Sequence, residues 1–157
     1  MLRFLVLLFG VAAVWTAALL VAPLITPSIP AWATYAAAAT VCHQLADRSF
    51  HLAGAPVAVC ARCLGLYAGG VAGFGTALVL QRGPGADGAA APRRARLLIA
   101  ALALPTLITL TLEQVARLPM GNFARFATAV PLGAAIAWVI GRAVEADARR
   151  PAATEVD

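Results

Sequence analysis

The sequence predicts an all-α fold, a polytopic membrane bundle of about four transmembrane helices plus one interfacial helix. Three observations carry this expectation. Hydrophobic residues make up 62% of the 157 residues and charged residues 12%, about half the charged share of a soluble globular domain. Four apolar runs approach or exceed the ~20 residues a helix needs to cross a bilayer, and no barrel-like alternation is present. The net charge of +5 comes from twelve arginines and no lysine. They fall mostly at the ends of the apolar runs, so they read as membrane topology and exclude a nucleic-acid surface.

The first span is expected at 4–25, "FLVLLFGVAAVWTAALLVAPLI". It is longer than the ~7–15 apolar residues of a signal peptide, so despite Arg3 before it and "AWA" at 31–33 a retained helix is expected. Pro23, Pro27 and Pro30 end it and turn the chain at the membrane surface. The Ala-rich stretch 31–47 follows as the interfacial helix, with Trp32 and Tyr35 suited to the headgroup level. The second span is expected at 57–80, where Gly65, Gly69 and Gly73 recur in phase with Ala61 and form a small-residue stripe for a close helix neighbour. A Gly-, Pro- and Arg-rich segment, 81–96, reads as a loop. The third span is expected at 97–115 and the fourth at 126–144, kinked at Pro131. Residues 1–146 thus form a single membrane domain, and 147–157 a polar cytoplasmic tail.

Arginine asymmetry orients the chain. Arg82, Arg93, Arg94 and Arg96 mark the loop after the second span as cytoplasmic, which puts both termini in the cytoplasm. The segment 41–70 and the connection 113–125 then meet on the extracytoplasmic side. All three cysteines and both histidines of the chain lie in the first of these.

Cys60 and Cys63 are three apart at the start of a span, so their sulfurs share a helix face that Tyr67 continues. With Cys42 and His43 they supply three thiolates and an imidazole, the donor set of a tetrahedral zinc site, and Asp47 is placed to orient His43. A second reading is redox: a C-x-x-C pair at a helix N-terminus has a depressed thiol pKa, with Cys42 as electron partner. A third is a local structural disulfide with one free cysteine. His51 reads as a surface residue. Glu113, Gln114, Asn122 and Arg125 cluster at span ends on the same side, where ionisable groups near lipid read as functional. Glu113 and Arg117 also have the spacing of an ordinary exposed helix pair. Glu113 is the one general-base candidate, and Arg48, Arg62 and Arg125 are candidates to hold an anionic or lipid-linked small molecule at the bilayer. Arg125 should have an acidic partner or a bound anion, with Glu113 the nearest candidate in sequence.

"CHQLADRSF", "PVAVCARCLGLYAGG" and, less closely, "ALPTLITLTLEQ" with "GNFARFATAVPLG" resemble the DUF2085 family of prokaryotic membrane proteins. Cys42, His43, Arg48, Ser49, Cys60, Arg62, Cys63, Gly65 and Tyr67 all fall in its pattern. The second half departs. Thr109 stands near the place of an Asp-Gly, Gly121-Asn122 stands for a Ser-Asn, and Glu113 supplies a carboxylate one turn later. The resemblance implies the plasma membrane of a prokaryote and supplies no reaction.

Overall fold

The computed structural model describes residues 2–80 and 92–148. The expected loop over 81–91 and most of the expected tail, 149–157, lie outside the described residues. Four helices are long and apolar enough to cross a membrane.

Helix α1, Leu2–Val21, continues as a short 3-10 turn, Ala22–Ile25, where Pro23 ends the α-helical hydrogen bonding. Ser28 then caps α2, Ile29–Ala39, its Oγ accepting from the Ala31 N–H at 3.3 Å. This helix buries Ala31 and Ala38 and exposes Ile29 and Trp32, the division expected of a helix lying at the membrane surface. It is shorter than the sequence suggested. The alanine run ends at Ala39, and β-branched Thr40 and Val41 lead into a non-helical segment. After a 3-10 turn, Ala46–Arg48, a hairpin forms from β1, His51–Leu52, and β2, Ala55–Pro56. Ala53 and Gly54 both have positive φ, 50° and 81°, the geometry of a tight type I′ turn. The exposed His51 pairs with Pro56.

The second span also starts later than expected. Val57, Ala58 and Val59 are buried but not helical, the Val57 N–H donating to the Phe50 carbonyl at 2.8 Å, and α3 begins at Ala61 and ends at Val79. Helix α4 covers Pro92–Gln114, starting earlier than 97 because proline suits a first helical position and draws Arg93, Arg94 and Arg96 into its first turns. Helix α5, Asn122–Ala148, runs past both expected ends and carries Pro131 inside it.

Helix directions follow from contacts. Gly65, Gly69 and Gly73 face Phe126, Val130 and Ala134, and Gly141 faces Ala77, so α3 and α5 run parallel. A methyl group added to any of Gly65, Gly69 or Gly73 would overlap a carbonyl oxygen of α5, and one on Gly133 would overlap that of Leu66. The glycine stripe therefore sets the α3–α5 spacing, the main helix–helix packing of the molecule. Trp15 meets the Tyr67 ring edge-on at 6.2 Å and Phe9 lies against Gly75, so α1 is antiparallel to α3. Thr106 Oγ1 donates to the Thr128 carbonyl at 2.7 Å and Glu113 meets Arg125, so α4 is antiparallel to α5. Near the place of the missing Asp-Gly, Thr109 is buried and donates to the Thr106 carbonyl at 3.0 Å.

The starts of α3 and α5, the ends of α1 and α4, and the segment 26–60 thus meet at one end of the bundle. Arg3, Arg93, Arg94, Arg96 and Arg142 belong to the other. Outward faces such as Leu7, Val11 and Val14 of α1 and Leu104, Leu107 and Ile108 of α4 are apolar and exposed on the chain, as lipid-facing surfaces are. The core sits beneath the polar end, where Leu19, Ala38, Cys42, Val57, Val59 and Leu64 pack with Trp15, Tyr35 and Tyr67.

A candidate metal centre beside an arginine-lined cavity

Where α2 stops, the chain reverses through Gln44, whose φ of 51° is left-handed. The conformation is held by its side chain: Nε2 donates to the carbonyls of Tyr35 and Ala58, each at 2.8 Å. One glutamine thereby ties α2 to the segment that leads into α3. Tyr35 adds a second tie, its hydroxyl donating to the Pro56 carbonyl.

These ties bring the Cys42 sulfur to the N-cap of α3, which is Cys60. Cys42 Sγ accepts from the Cys60 N–H at 3.2 Å and, more weakly, from the Gln44 N–H at 3.5 Å. Cys63 lies in the first turn of α3. The sulfurs of Cys42, Cys60 and Cys63 lie within 4.8 Å of one another, and all three are free thiols, Cys42 buried and the other two half-buried. Hydrogen bonding from the Cys63 side chain is the largest influence on the Cys60 thiol. With smaller help from backbone N–H groups and Cys42, and against the opposing effect of burial, it lowers that thiol to about 5. His43 is exposed and lies outside the sulfur group. In this non-helical stretch the buried Cys42 and its neighbour His43 face different surroundings. Asp47 does not orient His43 and instead approaches its neighbour Arg48 at 3.9 Å.

Behind the sulfurs lies an ion-pair triad. Glu113, at the end of α4, accepts from Arg62 Nη2 at 2.5 Å and from Arg125 Nε at 2.7 Å. The three side chains are 6%, 14% and 11% exposed. Arg125 therefore has the acidic partner its position requires. Arg117 does not pair with Glu113: α4 has ended at Gln114, and Arg117 is exposed with a φ of 52°. Arg125 Nη1 also donates to Asn122 Oδ1 at 2.6 Å, and Asn122 Nδ2 donates to the Ser49 carbonyl at 2.9 Å. Ser49 is fully buried and donates to the Leu45 carbonyl at 2.9 Å. The start of α5 is thus bolted to the 3-10 turn that carries Arg48.

The sulfurs and arginines share a cavity of about 350 Å³. Of the eight candidate residues, Cys42, His43, Arg48, Cys60, Arg62, Cys63 and Arg125 line it, together with Gln114. Glu113 does not. Both of its oxygens accept from guanidinium groups, one from Arg62 and one from Arg125. Gln44 is the residue that sequence patterns do not mark, since a single glutamine after Cys-His has no periodicity. Its only signal is a polar side chain ending an alanine-rich run.

A family model described as "Predicted membrane protein (DUF2085)" matches residues 42–139, a stretch that runs from Cys42 through all four segments of this site. Over 40 residues the chain is 48% identical to the uncharacterized protein MJ1492 of Methanocaldococcus jannaschii, a match covering 26% of each chain. The chain therefore spans about a quarter of the length of that curated relative. No solved structure matches.

Proposed function

The chain belongs to the DUF2085 family of predicted membrane proteins, and we propose that it holds a metal ion, zinc, on Cys42, Cys60 and Cys63 beside a cavity for an anionic or lipid-linked small molecule. The observation that carries the reading is the convergence of three sulfurs from two segments, with Cys42 Sγ accepting two backbone N–H bonds. The thiolate is the form in which cysteine binds a metal. Cys42, Cys60 and Cys63 would hold the ion through their thiolates, on the wall of the cavity that His43, Arg48 and Arg62 also line. Zinc bound there would supply a Lewis acid. Arg48 and Arg62 would bind and orient the anionic group, while Arg125 holds Glu113 and Asn122 in place.

The proposal includes a prokaryotic plasma membrane, one membrane domain over residues 1–146, cytoplasmic termini and an extracytoplasmic site. Its support is that Arg3, Arg93, Arg94, Arg96 and Arg142 sit at the end opposite the sulfurs, while two of the arginines near the sulfurs share Glu113.

Purified protein should carry one zinc per chain, and Cys42→Ser, Cys60→Ser or Cys63→Ser should each remove essentially all of it, because two thiolates leave an incomplete shell. Wild-type protein without metal, holding a Cys60–Cys63 disulfide that tracks the redox buffer, would replace this reading with a membrane thiol-disulfide oxidoreductase. What favours that second reading is the acidic Cys60 thiol in a C-x-x-C pair.

Both readings share a pH dependence. The Cys60 pKa is lowered to about 5 from the usual ~8.5, so the thiolate forms as pH rises through 5 and is complete near neutrality. After chelation, a membrane-impermeant maleimide added to intact cells should modify Cys60 with a rate that levels off by about pH 7 once corrected for the reagent's own pH dependence. A rate still climbing through pH 8–9 contradicts the acidic thiol. Modification only after lysis contradicts the orientation.

A further inference from the structure

The structure assigns Arg48 and Arg62 to a phosphate-type oxyanion, the headgroup of an anionic lipid, bound in the cavity beside the sulfurs. This deepens the proposed reading of the cavity as a ligand site and does not depend on the metal. Arg48 Nε and Arg62 Nε are both buried and without a hydrogen-bond partner among the described residues, so no sulfur, carboxylate or carbonyl accepts from them. A guanidinium stays protonated in proteins, so each N–H retains its demand for an acceptor. A buried polar group left unpaired is costly, more so when it is charged.

The other arginine on the wall is already committed. Arg125 spends Nε on Glu113 and Nη1 on Asn122, which removes it from the anion-binding candidates and leaves it a positioning residue. Arg62 spends only Nη2 on Glu113. Arg48 has Asp47 at 3.9 Å, beyond hydrogen-bond reach, and that carboxylate is 76% exposed. Glu113 is shared by Arg62 and Arg125, and Asp47 does not reach Arg48 with a hydrogen bond, so Arg48 is the wall guanidinium least engaged by a carboxylate.

The two guanidinium groups on the cavity wall come from different segments, the 3-10 turn at Ala46–Arg48 and the first turn of α3. A planar carboxylate suits the fork of one guanidinium, whereas a tetrahedral oxyanion offers acceptors in several directions and bridges two. The surroundings identify an amphiphile. Val41 and Leu45 on the cavity wall are 63% and 46% exposed, and Ile29 and Trp32 of α2 are exposed nearby in the chain. An apolar rim at the end of a membrane bundle, around an arginine-lined cavity, matches a lipid with its phosphate at the headgroup level.

The test uses the full chain in dodecyl maltoside micelles. It is titrated separately with phosphatidic acid, diacylglycerol of the same chains and inorganic phosphate, and binding is read by native mass spectrometry. One phosphatidic acid per chain and no diacylglycerol are expected. Arg48→Gln should weaken the lipid at least about tenfold, the scale of a lost charge-assisted hydrogen bond, and Arg117→Gln, an exposed arginine at the same end, should not. Arg62→Gln also unpairs Glu113 and can disturb folding, so Arg48→Gln carries the decision. Inorganic phosphate binding as tightly as the lipid would keep the oxyanion site and overturn the lipid as its source. Absence of binding by both, or Arg48→Gln indistinguishable from wild type, overturns the proposal. Zinc measured on the same samples reports the sulfur group separately, so failure of the metal reading and failure of the oxyanion site are told apart.

Discussion

Glu113→Ala is expected to lower the stability of the folded chain by about 3–5 kcal/mol, the cost of removing one partner from a buried ion pair. The cost arises because the carboxylate is shared. Its removal leaves Arg62 and Arg125, 14% and 11% exposed, as adjacent like charges without a carboxylate between them. Both then need to reach water, and in doing so they pull on the starts of α3 and α5. Thermal unfolding in detergent should show the loss, and zinc content should fall with it because Arg62 lies between Cys60 and Cys63 in sequence. The triple variant Arg62→Met, Glu113→Leu, Arg125→Met should recover much of the stability, since an apolar replacement of a whole buried ionic triad is often neutral or better. A Glu113→Ala protein that unfolds like wild type would mean that the carboxylate does not bridge the two arginines.

The number of spanning helices, their order and the gathering of Cys42, Cys60 and Cys63 with Arg62 and Arg125 at one end were legible in the sequence. Length of apolar run and position relative to the spans report just those features. What was not legible depends on interactions between segments. The hairpin at His51–Pro56 turns on Ala53-Gly54, which lacks the Asn-Gly signature of its turn type. Val57–Val59 reads as the first turn of a helix by hydropathy, yet it is not helical, because Phe50 takes the Val57 N–H and Gln44 the Ala58 carbonyl. The choice of Glu113 between Arg117 and Arg125 was open by spacing alone. It is settled by where α4 ends, a one-turn difference that composition does not encode.

The two neighbours Gly69 and Gly70 give a matched test of whether α3 and α5 position the site. A Cβ at Gly69 would overlap the Val130 carbonyl and come within 2.9 Å of the Ala134 nitrogen, both backbone atoms of α5. Backbone cannot step aside as a flexible side chain can, so Gly69→Ala must push the helices apart. Its expected cost is about 3 kcal/mol, the upper part of the usual range for overpacking a close-packed interface. At Gly70 nothing lies within 4 Å of an added Cβ. Gly70→Ala should therefore be neutral or stabilising by up to about 1 kcal/mol, the helix-propensity gain of alanine over glycine. The consequence at the site follows from the parallel run of the two helices. Cys63 and Arg62 ride on the first turn of α3, Asn122 and Arg125 on that of α5, and a wedge at Gly69 stretches the Arg62–Glu113–Arg125 bridge between them. Reduced thermal stability together with reduced zinc or phosphatidic acid binding in Gly69→Ala, and neither in Gly70→Ala, is the expected pattern. Equal behaviour of the two variants would show that the glycine stripe does not set the spacing on which the cavity depends.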